Sequence, residues 1–244
     1  MFSFFTRKKQ PALTDYGFVG VDMHSHLIPG IDDGVPDMET ALEALTQLQN
    51  LGYRKVVTTP HVIQDMYPNT SAVIRQGVAE VQAAAKEHGL TIEIEAAAEY
   101  LLDEYFMALL HKGDLLTFGS NYLLFELSFA VPPLNLEDLV FQMMTRGYRP
   151  ILAHPERYSY LKDHPERIKN LRDQGCLLQL NILSLYGQYG SRAQQQARYF
   201  LEHGMIDFLG TDMHRVRDAE KMKQLISAKE SAIMGGKTFL NASL

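Results

Sequence analysis

The sequence has a single cysteine, Cys176, and no long apolar run. One cysteine excludes an intramolecular disulfide framework and is typical of a reducing compartment. No segment approaches the roughly 20 apolar residues of a membrane-spanning helix. In the first nine residues the basic charges follow the apolar residues, which is the reverse of a secretory signal. These absences predict a cytoplasmic protein without a transmembrane segment.

The sequence is also short of positive charge, with 23 Lys and Arg against 29 Asp and Glu, a net charge of −6. An acidic chain without a basic stripe argues against nucleic acid as the main partner. If the protein binds phosphate groups, a local positive centre must do so, either metal ions or a few arginines. Low-complexity linkers are absent as well. We therefore expect a flexible tail, residues 1–16, followed by one domain, residues 17–244.

Short apolar runs alternate with longer helical patterns along the whole chain. The predicted strands are Phe18–Met23, Lys55–Thr59, Thr91–Ala96, Tyr122–Leu127, Arg149–Ala153, Cys176–Asn181 and Ile206–Gly210. The predicted helices between and after them are Asp37–Leu51, Ser71–His88, Asp103–His111, Leu136–Arg146, Pro165–Gln174, Arg192–His203 and Asp218–Met234. Strands rich in Val, Ile and Leu that alternate with helices indicate βαβ units and a parallel sheet. Seven such units without a break favour an α/β fold with a closed or distorted barrel.

Potential metal ligands follow most of these strands. They are His24, His26, Asp32, Asp33, His61, Glu99, Glu126, His154, Asp212 and His214. In a parallel barrel the carboxyl ends of the strands share one face, where ligands bind. His24 and His26, like Asp212 and His214, are two residues apart and point the same way from an extended chain. Imidazole and carboxylate without thiolate suit Mn, Fe or Zn in a catalytic site.

The segment Asp22–Gly34 resembles the opening motif of the PHP-domain phosphatases, and most of all the CpsB/CapC group of bacterial tyrosine-protein phosphatases. Its later motifs are matched in order by Thr59–His61, Ala98–Tyr100, His154–Tyr158 and Thr211–His214. The resemblance covers about residues 18–215 and implies a distorted (β/α)₇ TIM-like barrel, the PHP fold. It also implies a site for two or three divalent ions, manganese first, with iron or zinc as the other options.

The resemblance assigns ligands to each ion. His24, His26, Glu99 and Asp212 would hold the first, Glu99 would bridge to a second completed by Glu126 and His154, and Asp33, His61 and His214 would hold the third. Only the resemblance selects Asp33 over Asp32, for which the expected role is a turn or a hydrogen-bond acceptor beside the ligands.

Arg157 is the candidate phosphate clamp, because a planar guanidinium can bind two phosphate oxygens. The family has a second arginine after the last motif, for which Arg215 and Arg217 are both available, and we favour Arg217. The activity implied is hydrolysis of protein phosphotyrosine by a metal-activated hydroxide. The implied partner is the tail of a bacterial tyrosine autokinase that controls capsule or exopolysaccharide export.

Other functions remain open at this stage. The same scaffold serves small-molecule phosphatases such as histidinol-phosphate phosphatase, and also nuclease or proofreading modules, which the acidic composition disfavours. A non-catalytic regulatory domain with bound metal is a further alternative. A cysteine-dependent tyrosine phosphatase is excluded, because that mechanism needs an arginine six residues after the cysteine and Ile182 stands there. We expect Cys176 to be a small apolar core residue.

Overall fold

The computed structural model describes residues 13–162 and 164–244. Most of the predicted tail, residues 1–12, lies outside the described residues. Within the remainder of that tail, Tyr16 is fully buried, and its hydroxyl donates to the carbonyl of Met222 at 2.9 Å. The core therefore includes the chain from Tyr16 onwards.

Short strands and helices alternate through the described residues. The strands are β1 (Val21–Asp22), β2 (Lys55–Thr58), β3 (His61–Val62), β4 (Glu93–Ala96), β5 (Glu99–Leu101), β6 (Tyr122–Glu126), β7 (Arg149–Ala153), β8 (Leu177–Asn181) and β9 (Phe208–Gly210). The α-helices are α1 (Met38–Asn50), α2 (Ser71–Glu87), α3 (Glu104–Lys112), α4 (Leu136–Thr145), α5 (Ser159–Lys162), α6 (Pro165–Gln174), α7 (Ile182–Tyr186), α8 (Gly190–Glu202) and α9 (Arg217–Ser227). Short 3₁₀ turns cover Pro155–Arg157, Lys229–Ile233 and Leu240–Ser243.

The described strands pair in parallel throughout and form two sheets with the orders β1-β2-β4 and β3-β5-β6-β7-β8-β9. The first strand also meets the last, because Ser25 and Met213 form a parallel bridge and the amide of Asp212 donates to the carbonyl of His24 at 2.7 Å. The sheet thus curls back on itself, and the predicted α/β barrel is confirmed.

Two of the predicted strands, Lys55–Thr59 and Thr91–Ala96, are each followed by a short strand that was not predicted. Pro60 has no amide hydrogen to donate, so β2 stops at Thr58 and the chain resumes as β3 at His61. The paired segment is interrupted at the same level, between β4 and β5, although the amide of Glu99 still donates to the carbonyl of Pro60 at 3.1 Å. The register then places His61 directly opposite Glu99. These two residues therefore open short strands, where the sequence pattern predicted that they follow strands.

Helix boundaries follow local sequence signals. In α1 the side chain of Asp37 caps the helix by accepting from the amide of Thr40 at 2.8 Å. The helix buries Ala41, Leu45 and Leu48, spaced three and four residues apart, against the barrel. The last helix is shorter than predicted, since α9 ends at Ser227 where Ala228 turns to an extended conformation. Among the described residues, no helix is long and apolar enough to cross a bilayer.

Candidate metal centre

The structure brings all nine predicted ligands together in one cluster. They are His24, His26, Asp33, His61, Glu99, Glu126, His154, Asp212 and His214. Their donor atoms fall into overlapping groups, each within 4.8 Å. Most of these side chains are buried, whereas Asp33 is 53% exposed at the outer edge. Residues separated by up to 190 positions therefore form one polar cluster at one end of the barrel.

The innermost group consists of four donor atoms. Nε2 of His24 lies 3.1 Å from Oε2 of Glu99 and 3.4 Å from Oδ1 of Asp212. Nε2 of His26 lies 3.5 Å from each of the same two oxygens and 3.4 Å from Nε2 of His24. Donor atoms around a tetrahedral ion bound at 2.0–2.1 Å are about 3.3 Å apart. These spacings fit one divalent cation at the centre of the group.

Hydrogen bonds at the other ring nitrogens decide which atoms face the centre. Nδ1 of His24 lies 2.8 Å from Oε1 of Gln179, and Nδ1 of His26 lies 2.8 Å from Oδ2 of Asp32. Both partners are acceptors, so each Nδ1 carries a hydrogen, and in the neutral ring that binds a cation it is Nε2 that presents the lone pair. Asp32 thus acts as the acceptor expected from the sequence. Gly210 makes room for this arrangement, since a Cβ there would lie 2.6 Å from Nε2 of Gln179.

The second group surrounds the other oxygen of Glu99. Nε2 of His154 lies 2.9 Å from Oε1 of Glu99 and 4.0 Å from Oε2 of Glu126. One carboxylate therefore faces the histidines of the first group with one oxygen and His154 with the other. A carboxylate in this position can bridge two cations, as predicted for Glu99.

The third group lies toward solvent. Oδ1 of Asp33 is 3.6 Å from Nε2 of His61 and 3.4 Å from Nε2 of His214. His61 also faces inward, because its Nδ1 lies 3.2 Å from both Oε2 of Glu99 and Oε1 of Glu126. The family resemblance assigned His61 only to the outer group. In the structure this ring lies between the outer and inner groups.

Several buried nitrogen and oxygen atoms of the predicted ligands have no hydrogen-bond partner among the described residues. They include Oε2 of Glu99, Nδ1 of His61 and Nδ1 of His154. The first two lie 3.2 Å apart and do not hydrogen-bond to each other. Leaving a buried acceptor unsatisfied is costly, whereas a cation between lone pairs would satisfy several at once. The side chains present therefore fit bound divalent ions.

Electrostatics favour anionic ligands in this cluster. Burial raises the pKa of Glu99, but His24 and His61 outweigh this effect and hold the pKa well below its usual range. Burial likewise raises the pKa of Asp212, and His24, His214, His26 and Arg157 together hold the pKa well below its usual range. Both carboxylates are therefore ionised near neutral pH and available to bind cations.

Asp212 divides its two oxygens between the cluster and an anchoring network. Its Oδ1 faces the histidines, while Oδ2 accepts from Nη1 of Arg157 at 3.0 Å, Nδ2 of Asn181 at 2.6 Å and the Tyr189 hydroxyl at 3.0 Å. The backbone at Asp212 is left-handed with φ of 51°, as is His154 with φ of 34°. Non-glycine residues adopt this conformation at a cost, and such strain is concentrated at functional sites.

Arg157 is held rigidly beside the cluster. Its guanidinium stacks between the rings of Phe129 at 4.6 Å and Tyr189 at 4.3 Å, in addition to its ion pair with Asp212. Such an arginine is oriented before any substrate arrives. Its role in binding phosphate stays a prediction.

A cleft of about 660 Å³ opens above the cluster. One wall is apolar and aromatic, with Met66, Tyr67, Leu127 and Phe129 among its residues. Basic residues line the same cleft, and they are Arg157, Arg215, Arg217 and Lys221. Arg215 and Arg217 both line the cleft, so the choice between them stays open.

The orienting residues Gln179, Asn181 and Tyr189 were missed by the sequence interpretation. One signal for the first two was available: Gln179 and Asn181 are polar residues two positions apart in the otherwise apolar strand β8. Alternation along a strand places them on one face, toward the cluster. Tyr189 lies in a loop, and nothing in the sequence pattern marks it.

The thiol of Cys176 has no part in this site. The residue is buried just before β8, and burial raises the pKa of its thiol to about 12. Such a thiol is protonated near neutral pH and is a poor nucleophile. The predicted core role of Cys176 is confirmed.

The chain is similar to several known proteins. The chain is 26% identical over 198 residues to the tyrosine-protein phosphatase YwqE of Bacillus subtilis, covering 81% of this chain and 78% of that protein. It is 29% identical over 204 residues to the tyrosine-protein phosphatase CpsB of Streptococcus pneumoniae, covering 80% and 83%. A crystal structure described as that of YwqE and CpsB, metal-dependent tyrosine phosphatases, matches the fold with a TM-score of 0.76 and 22% identity over 90% of this chain and 96% of the other.

A family model described as capsular polysaccharide synthesis, CpsB/CapC, matches residues 20–233. The match includes every predicted metal ligand and most of the barrel. The chain belongs to the CpsB/CapC family.

Proposed function

We propose that this protein is a metal-dependent protein-tyrosine phosphatase. The observation that carries the proposal is the convergence of nine imidazole and carboxylate side chains beneath a cleft that aromatic and basic residues line. The relatives named as tyrosine-protein phosphatases support the same conclusion. We propose Mn²⁺ as the bound metal, with Fe²⁺ and Zn²⁺ as alternatives that the same ligands accept.

The ligand assignment is part of this proposal. His24, His26, Glu99 and Asp212 would hold the first ion, and Glu99 would bridge to a second that Glu126 and His154 complete. Asp33 and His214 would hold a third, with His61 shared between the outer and inner groups. Divalent ions in these positions would acidify a water molecule to hydroxide near neutral pH and polarise the phosphoryl oxygens.

The protein's own residues prepare the cleft for an aryl phosphate. Asp32 and Gln179 hold the imidazoles of His26 and His24 with Nε2 toward the centre. Arg157 keeps N–H groups beyond its bond to Asp212, and we propose that they bind phosphoryl oxygens as charge develops. Tyr67 and Phe129 offer aromatic surface to the substrate ring. A phenolate, with a pKa of about 10, leaves without a strong general acid.

We propose further that the substrate is a phosphotyrosine protein, the tail of a bacterial tyrosine autokinase of polysaccharide export. The family description, capsular polysaccharide synthesis, supports this assignment. A kinase tail of this type lies in the cytoplasm, so we propose the same location for the phosphatase.

The test uses protein stripped with a chelator and reloaded with Mn²⁺. Its substrates are a tyrosine phosphopeptide, a serine phosphopeptide, histidinol phosphate and single-stranded DNA. We expect the tyrosine phosphopeptide to be hydrolysed fastest. Faster turnover of histidinol phosphate would replace the proposal with a small-molecule phosphatase. Metal binding without turnover of any substrate would indicate a regulatory domain.

Glu99→Ala tests the site itself, since it removes the carboxylate shared by two groups. We expect activity to fall by about 10³-fold or more and the bound metal, measured by elemental analysis, to decrease. Glu104→Ala, in the exposed first turn of α3, is the matched control. Full activity of Glu99→Ala would refute the site.

A further inference from the structure

A second cavity of about 380 Å³ adjoins the cleft above the cluster. Arg157 and Tyr189 line both spaces, so this stacked pair forms a common wall between them. The other walls come from α5, with Lys162, and from the first turns of α8, with Arg192. The two cavities are therefore adjacent and share these two side chains.

The second cavity is positively charged in a protein of net charge −6. Arg157, Lys162 and Arg192 face one carboxylate, that of Glu156. Arg157 is already paired with Asp212, but Lys162 and Arg192 are exposed and make no ion pair or hydrogen bond within the described part of the chain. Two cations are thus available on one rim for a ligand.

Glu156 is the carboxylate of this cavity, and it is buried. Its Oε1 accepts from the Ser184 hydroxyl at 2.7 Å and from the amide of Asn181 at 3.1 Å. It forms no ion pair with Lys162 or Arg192 among the described residues. The cavity therefore offers two cations to an acidic side chain, and its own carboxylate does not occupy them.

We propose that this cavity is a second anion subsite, which binds an acidic group two residues away from the phosphotyrosine of a peptide substrate. The inference rests on the proposed phosphatase function. In an extended peptide, side chains two residues apart point the same way and are about 7 Å apart. One side chain can therefore enter the cleft while the other passes the Arg157 wall and reaches Lys162 and Arg192. A carboxylate and a second phosphate share this chemistry.

The test compares kcat/KM for tyrosine phosphopeptides that differ only two residues before or after the phosphotyrosine. That residue is Glu, phosphoserine, Ala or Lys. We expect Glu to exceed Ala by about three- to tenfold, since exposed ion pairs contribute up to about fivefold each. The phosphoserine arm shows whether a second phosphate is preferred to a carboxylate. The preference should weaken in high salt.

Variants of the chain locate the subsite. In Lys162→Ala/Arg192→Ala the ratio of Glu to Ala peptide should fall to about one, and Lys162→Glu/Arg192→Glu should favour the Lys peptide. The control Arg75→Ala/Lys86→Ala removes one arginine and one lysine from α2, and neither of them lines the main cleft or the second cavity.

An acidic preference that persists in Lys162→Ala/Arg192→Ala would overturn the proposal and point to the basic residues of the main cleft. Equal turnover of the Glu and Ala peptides by the unmodified protein would also overturn it. Hydrolysis of none of the peptides would instead overturn the proposed function, and the subsite with it.

Discussion

The side-chain oxygen of Gln179 lies 2.8 Å from Nδ1 of His24, although the two residues are 155 positions apart. The orientation of this amide is fixed because its Nε2 donates to Oδ1 of Asn181 at 2.9 Å. The oxygen therefore faces His24, holds the hydrogen on Nδ1 and leaves Nε2 free to bind a cation. A residue outside the ligand set thus determines which atom of a proposed ligand enters the site.

Gln179→Leu should weaken metal binding without removing a ligand. Loss of such an orienting hydrogen bond typically lowers metal affinity 10- to 100-fold. Mn²⁺ titration of the chelator-treated protein, followed by phosphatase assay across metal concentrations, measures the effect. Gln82→Leu is the matched control, because Gln82 also donates a side-chain hydrogen bond, at 2.7 Å to the carbonyl of Ile94, but lies outside the site. Equal affinity in the two variants would contradict this role for Gln179.

Asp32 and Asp33 are adjacent, but replacing each of them should change metal binding in a different way. Asp33→Asn removes a proposed ligand of the outer ion, so we expect the protein to lose about one metal equivalent while the inner ions remain. Asp32→Asn weakens the acceptor beside His26 and should lower the affinity of the inner ion by about 10-fold. Elemental analysis at limiting and saturating Mn²⁺ separates the two effects. Asp65→Asn is the control, because it makes the same change at an aspartate that lines neither cavity. Full metal content in Asp33→Asn would contradict the assignment.

The metal-free protein should lose stability as pH rises above neutral. Burial alone lowers the pKa of His24, but Glu99 and Asp212 outweigh it and raise the pKa to about 9. An unfolded histidine has a pKa of about 6.5, so between these values the folded chain binds more protons than the unfolded chain. The same sign holds for His26 and His61, whose pKa values are also raised. The stability that these three histidines contribute is therefore fully present below about pH 6.5, and it is lost as the pH rises toward 9.

Thermal melting of chelator-treated protein at pH 6.5, 7.5 and 9 tests this expectation. With Mn²⁺ present the trend should weaken or reverse, because ligand histidines must release their protons to bind metal. A melting temperature of the metal-free protein that rises across this window would contradict the charge state inferred for the cluster.

Cys176→Ala should retain phosphatase activity within about twofold, because the buried thiol lies outside the site and is protonated. The small cavity should cost about 1 kcal/mol of unfolding free energy. Phosphopeptide turnover and denaturant unfolding measure the two quantities. The native thiol should also resist a thiol-reactive dye until the protein is unfolded. Loss of activity with an unchanged fold would show that the thiol takes part in catalysis.

Much of the fold could be predicted, since strand and helix signals are local. The strand Arg149–Ala153 and the helix Pro165–Gln174 have the predicted limits, and the curled parallel sheet follows from βαβ repetition. The short strands β3 and β5 were not predicted, because each depends on pairing with the other. This pairing places His61 opposite Glu99.

For the site, the sequence by itself determined which side chains are available and that strand ends would collect them, because residue type and strand periodicity are local properties. Only the tertiary structure decided how they are aimed. Contacts between distant strands and loops place His61 between two groups of ligands and divide the oxygens of Asp212 between His24 and Arg157. The same kind of contact brings in the partners Gln179, Asn181 and Tyr189. Amide and hydroxyl side chains acquire such roles from packing alone, and a linear pattern does not encode that packing.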